Sequence, residues 1–211
     1  MAISTYAELQ DQIYRYLIRD TSDLVVTPAQ VQNYIALAEA ELSRLLKIRL
    51  LQETATLTLA ASQNYVALPT GFRSVLDLNF DARPTDISYL PPKELRRKYA
   101  AYTGRPYEYS IIGSRIYFGP TPTSVETLTL DYYKKITALS DAANTNNILT
   151  EYPDVYLFSA LKAAFIQIGD QEKLENVAAN LVSILKQIND EDVVGKVPVG
   201  SRMVARRGAI G

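Results

Sequence analysis

The sequence predicts a mainly helical fold with a small antiparallel β insertion. Three observations predict it. Apolar residues recur at helical spacing toward both ends of the chain. The middle alternates apolar with polar residues, as half-buried strands do. Proline, glycine and asparagine mark the changes of period. The body is expected to be a helical bundle, an N-terminal helix pair plus a C-terminal antiparallel pair, followed by an extended C-terminal arm.

Thr5 and Glu8 can form a capping box, and Leu9, Ile13, Tyr16 and Leu17 follow at helical spacing, which predicts a first helix over about 5–19. Thr27-Pro28-Ala29-Gln30 is a stronger start: a capping threonine, a proline at the first helical position and a glutamine to close the box. Val31, Ile35, Ala38, Leu42 and Leu45 then form a stripe, and a helix over about 28–49 is expected. That stripe suits packing on the first helix or contact with another subunit. The opposite side, with Ala36, Glu39, Ala40 and Glu41, is Ala- and Glu-rich.

The β-rich insertion is expected over about 54–134. Thr54–Leu59 alternates, Ser62-Gln63-Asn64 turns the chain, and Tyr65–Leu68 returns. Arg73–Phe80 alternates weakly. Pro91-Pro92-Lys93-Glu94 starts a short helix reaching toward Tyr102. Tyr107–Ile112 and Arg115–Phe118 flank Gly113-Ser114, and glycine in first place suits a type II′ hairpin. Thr127–Lys134 is expected to pair with that hairpin. Thr137–Asn147 reads as a polar loop.

Pro153 opens a helix expected over about 154–169, ended by Gly169. Asp170 caps the last helix, expected over about 171–190, and the short turn makes the two an antiparallel pair. Residues 1–192 would then be one domain and 193–211 an arm. The arm holds Lys196, Arg202, Arg206 and Arg207, no acid, four glycines and one proline. Such a segment is either a solvated terminus or an arm that orders on a partner.

Composition excludes many chemistries. The chain has no cysteine and no histidine. Thiol catalysis, thiolate metal sites and the commonest general base are therefore absent. No enzyme, metal or cofactor is expected. Carboxylates such as Glu151 and Asp154 carry no glycosidase signature, and Asp154 suits a helix N-terminus. No glycine loop is built to hold phosphates. The net charge of −1 provides no global attraction to nucleic acid or acidic membrane. No apolar run approaches the ~20 residues that span a bilayer. Met1-Ala2-Ile3-Ser4-Thr5 does not read as a signal peptide, so the cytoplasm is the expected location until the chain assembles with a partner.

Fifteen tyrosines stand against five phenylalanines and no tryptophan. A tyrosine buries its ring and keeps its hydroxyl wet, which suits interfaces. Tyr107, Tyr109, Tyr117, Tyr132 and Tyr133 are candidates for subunit contacts, or ordinary sheet residues. Arg96, Arg97 and Lys98 lie close to Tyr99 and Tyr102. That run reads as a solvated helix face, or as a basic patch that stacks single-stranded nucleic acid.

Five short segments carry a family resemblance. They are Leu68-Pro69-Thr70-Gly71-Phe72-Arg73, Gly104-Arg105-Pro106-Tyr107-Glu108-Tyr109, Ile116-Tyr117-Phe118-Gly119-Pro120-Thr121-Pro122, Leu128-Thr129-Leu130-Asp131-Tyr132-Tyr133 and Tyr152-Pro153-Asp154-Val155-Tyr156-Leu157. With the order of elements from Ser4 to Asp190, they resemble the head–tail adaptor (connector) proteins of tailed bacteriophages. The resemblance implies a structural virion protein of twelve copies in a ring. It implies a portal protein on one side, a tail or nozzle protein on the other, and DNA only passing through the channel. It implies a portal-contacting role for the arm, here Lys196, Val197, Pro198, Arg202, Met203, Arg206 and Arg207, and contacts of the sheet segment Tyr107–Tyr133 with neighbouring subunits or the tail. Another phage neck or tail-completion protein is the alternative, and a nucleic-acid-binding module a more distant one.

Overall fold

The computed structural model describes residues 3–20, 26–81 and 87–196. The chain forms two compact units, a helical one from Met1–Leu50 with Thr137–Gly211 and a β unit from Leu51–Ile136.

In the helical unit, α1 (Tyr6–Asp20) and α2 (Pro28–Leu45) start where their capping residues predict. The Thr5 hydroxyl accepts from the Glu8 N–H at 3.3 Å, and the Glu8 carboxylate accepts from the Thr5 N–H at 3.0 Å. Glu8 also takes the Ser4 N–H and hydroxyl, each at 2.8 Å. These bonds, the Ser4 N–H first, hold its pKa below the ordinary carboxylate value. At α2 the box of Thr27 and Gln30 is complete and Pro28 occupies the first turn. The helix ends four residues before the expected 49, because Leu46 adopts an extended backbone. Val31, Ile35, Ala38 and Leu42 are buried as the stripe predicts, but Leu45 is half exposed.

The third expected helix is α5 (Pro153–Ile168), with Gly169 in the left-handed region at φ 81° as its C-cap. It packs against α1, α2 and α6 (Gln171–Lys196), and buries residues on more than one face, including Tyr156, Ala160, Leu161 and Phe165. A short helix, α4 (Asn147–Glu151), follows the expected polar loop and precedes α5; Asn146 caps it, accepting the Leu149 N–H at 2.9 Å. The last helix runs to Lys196 rather than 190. The extra turns carry Asp192, which is buried and accepts the Arg49 N–H at 2.8 Å. Val193–Lys196, the first four residues of the expected arm, are therefore helical, and residues 197–211 lie outside the described ones.

The β unit corrects the expected fold class. The described residues are 47% helix and 24% strand, with sheets of three and four strands, not a mainly helical bundle with a small β insertion. The first sheet has the order β1-β7-β3, from β1 (Gln52–Leu59), β3 (Phe72–Phe80) and β7 (Glu126–Lys134). The second has the order β2-β6-β5-β4, from β2 (Tyr65–Ala67), β4 (Ser88–Tyr89), β5 (Glu108–Ile112) and β6 (Arg115–Gly119).

The sheets share a core. Leu57, Leu59, Leu78, Phe80, Leu128 and Leu130 of the first pack with Ile116 and Phe118 of the second. Phe80 and Phe118 meet with ring centroids 6.4 Å apart. Each sheet has an apolar face and buries it on the other, the layering that a sandwich requires.

Two local facts explain the correction. β3 shifts register twice against β7, between Phe72 and Ser74 and between Val75 and Asp77. Each shift breaks the period of two on which the strand is recognised. β7 pairs with β1 and β3 and not with the hairpin, so it belongs to the other sheet. The hairpin itself forms as β5–β6 with Gly113 at φ 59°. Ser114 is not in the positive-φ region, so positive φ falls on the first turn residue alone, as type II′ requires.

Candidate interaction surface

A short helix, α3 (Pro92–Lys98), lies against β5 and β6. The expected continuation to Tyr102 stops at Tyr99, its C-cap. The Tyr99 ring rests directly over Gly119: a Cβ there would stand 2.2 Å from the ring. The Tyr99 hydroxyl donates to the Glu108 carboxylate at 2.6 Å. The Lys98 ammonium donates to the same carboxylate at 2.8 and 3.0 Å. It also stands 5.2 Å from the Tyr99 ring centroid and 5.6 Å from that of Tyr107. Tyr99 and Tyr107 meet edge to face at 5.7 Å.

The charges of this cluster support one another. Burial works to raise the Glu108 pKa, but the bonds from Lys98 and Tyr99 outweigh it and hold the carboxyl below its usual value. The Glu108 bond raises the Lys98 pKa. Burial first, then the bond to Glu108, pushes the Tyr99 phenol strongly upward. Lys98 and Tyr99 are thus engaged within the cluster. Of the aromatics beside the basic run, Tyr102 is the strongly exposed one. This reduces the stacking surface that a nucleic-acid reading needs.

The five candidate tyrosines do not form one patch. Tyr107 is half exposed and joins the Tyr99 cluster. Tyr117 lines a pocket of about 280 Å³ with Tyr99, Arg96, Asn64 and Thr121, and packs on Tyr65 at 5.7 Å. Tyr109 leans on the sandwich core and meets the exposed Tyr89 at 5.7 Å. Tyr132 is 3% exposed, stacks on Phe72 at 5.7 Å and donates to Glu53 at 3.1 Å. Tyr133 accepts from Gln52 at 3.2 Å in the three-stranded sheet. Of the portal-arm candidates, Lys196 ends α6, while Val197, Pro198, Arg202, Met203, Arg206 and Arg207 lie outside the described residues.

The sequence reading missed the Tyr99–Glu108–Lys98 cluster and the partners Tyr65 and Tyr89. One signal was available: Gly119 closes an alternating strand, and glycine inside a strand pattern marks a close approach. Gly119→Ala is therefore expected to displace the Tyr99 ring and destabilise the β unit by about 1–3 kcal/mol. Urea unfolding measures it, and an unchanged midpoint would show that the ring yields freely.

Among the described residues no group of three or more histidines, cysteines or carboxylates could hold a metal ion. Among them, too, no helix is long and apolar enough to cross a membrane. The chain folds as a helical unit and a two-sheet sandwich. The class it fits is the bacteriophage adaptor. The sequence profile described as SU10 adaptor protein matches residues 4–203, and the chain belongs to that family, the phage SU10 head–tail adaptors. The family implies a virion component that interacts with other phage head or tail proteins. No curated protein matches the chain.

Proposed function

We propose that this chain is a non-catalytic structural protein that forms a ring between the capsid portal and the tail. The observation that carries the proposal is the family match over 4–203, nearly the whole chain. Twelve copies would close the ring on the portal, receive a tail or nozzle protein on the other side, and leave a channel through which DNA passes. A heterologous contact repeated by rotation closes into such a ring. The near-neutral subunit, with a net charge of −1, brings little charge repulsion to side-by-side packing. Before assembly the chain resides in the host cytoplasm.

Tyr107, Tyr109, Tyr117 and Tyr133 are the ring or tail contacts in this reading, and the buried Tyr132 supports Tyr133 from within the same strand. The arm, with Lys196, Val197, Pro198, Arg202, Met203, Arg206 and Arg207, contacts the portal. Its ordering on the portal delays strong ring contacts until the portal is present, so assembly is sequential. Stable twelve-fold rings of the isolated chain at low concentration would contradict that order.

Removing residues 197–211 is expected to abolish co-sedimentation with the portal while the circular-dichroism spectrum keeps its helical signal. Unaltered co-sedimentation would remove the arm from the interface. If the full chain fails to co-sediment with the portal at any concentration, the portal reading itself is lost, in favour of another neck protein.

A further inference from the structure

Three of the four sheet edges in the β unit are blunted in ways that keep native sheets from adding strands. β2 has three residues and β4 has two. β3 is long, but its two register shifts make it irregular. β1 has neither protection. It pairs with β7 over eight consecutive residues without a shift, and contains no proline or glycine. It stands at the end of its sheet, and among the described residues no backbone hydrogen bond reaches its other side. About half of its N–H and C=O groups therefore point to an unfilled edge.

The adjoining sheet face indicates what fills it. Leu57, Leu59, Leu128 and Leu130 point into the core, so Thr54, Thr56, Thr129 and Asp131 point outward. Asp131 accepts the Thr54 hydroxyl at 2.5 Å, and its partner across the sheet on β3 is Asp77. A groove of about 400 Å³ lies there, lined by Gln52, Glu53, Thr54, Leu76, Asp77 and Asp131. No lining residue is basic. Glu53 is 3.4 Å from the Lys134 ammonium, while Asp77 and Asp131 make no ion pair among the described residues.

We propose that the β1 edge takes an extended, basic segment of a partner protein as an added strand. The main chain of that segment pairs with β1, and its alternate lysine or arginine side chains reach across β1 to Asp131. Strands stand about 4.8 Å apart, so the added strand lies about 10 Å from β7, and long side chains close that distance. Main-chain pairing supplies the attachment, and the carboxylates select a basic sequence. The inference rests on the β unit alone, independent of the ring.

The probe is a synthetic peptide that alternates arginine with valine, added to the full chain. It is expected to bind, and to slow hydrogen exchange at the amides of β1. Methylating alternate backbone nitrogens of the peptide abolishes binding, and a glutamate–valine peptide does not bind. Asp131→Asn weakens binding about two- to fivefold, the range of an exposed ion pair. Four outcomes overturn the proposal: no binding, binding without protection of β1, equal affinity for the acidic peptide, or tolerance of the methylated backbone. A dimer of the free chain whose β1 amides are already protected overturns it too, since a second copy then fills the edge.

Discussion

Phe118→Ala is expected to lower the stability of the β unit by about 3–5 kcal/mol. Phe118 is 2% exposed and stands between the sheets against Phe80. The lost ring removes apolar burial and leaves a cavity that both sheets line, and strands tied by their ladders collapse into it only partly. Tyr107→Ala is the control. Its ring is 49% exposed and loses only the edge contact with Tyr99 and the approach of Lys98, so the change should cost about 1 kcal/mol. If the two variants unfold at the same urea concentration, Phe118 does not hold the sandwich together. If Tyr107→Ala stays folded but loses partner binding, its ring belongs to the interface.

Replacing Glu39 with leucine is expected to cost the helical unit about 1–3 kcal/mol. Glu39 is 8% exposed on α2 and accepts the Leu139 N–H at 2.7 Å and the Tyr156 hydroxyl at 3.4 Å. Asn146 donates to the Tyr156 oxygen at 2.6 Å and to the Thr137 carbonyl at 2.7 Å. Leucine strands the Leu139 N–H and the Tyr156 proton in the interior, and Glu39→Gln keeps an acceptor there. Burial raises the Glu39 pKa above its ordinary value, against the smaller effect of the two bonds. A group held above its unfolded pKa binds its proton more tightly in the folded chain. Its contribution is full below about pH 4.5 and is lost as pH rises through the raised value. The stability of Glu39→Gln relative to the natural chain should therefore grow across that window. Urea unfolding of both proteins from about pH 4 to pH 8 measures it, and parallel curves would contradict a buried, proton-favouring Glu39.

Glu39 also marks where sequence reading stops. Helical spacing placed it on the Ala- and Glu-rich side of α2, which the burial of Leu42 and Ala38 alone would leave wet. What buries it is the segment around Leu139, about a hundred residues away, and no local pattern encodes that approach. The helix starts were legible because capping residues act within one turn, as at Thr27 and Gln30. The hairpin at Gly113 was legible for the same reason. The pairing of β7 with β1 and β3 was not, since register depends on which strands meet, and the β3 bulges hid its period. Among the tyrosines, composition flagged an interface, yet neighbours decided their surroundings: Tyr132 lies in the core, and Tyr99 lies over Gly119.

The proposed ring forms as the chain adds to the portal. Light scattering coupled to size exclusion measures it, first on the chain alone and then with its portal. A small species is expected alone, and with the portal a complex whose added mass equals about twelve copies of a 23.5 kDa chain. A chain that leaves the portal's mass unchanged at every concentration would contradict it.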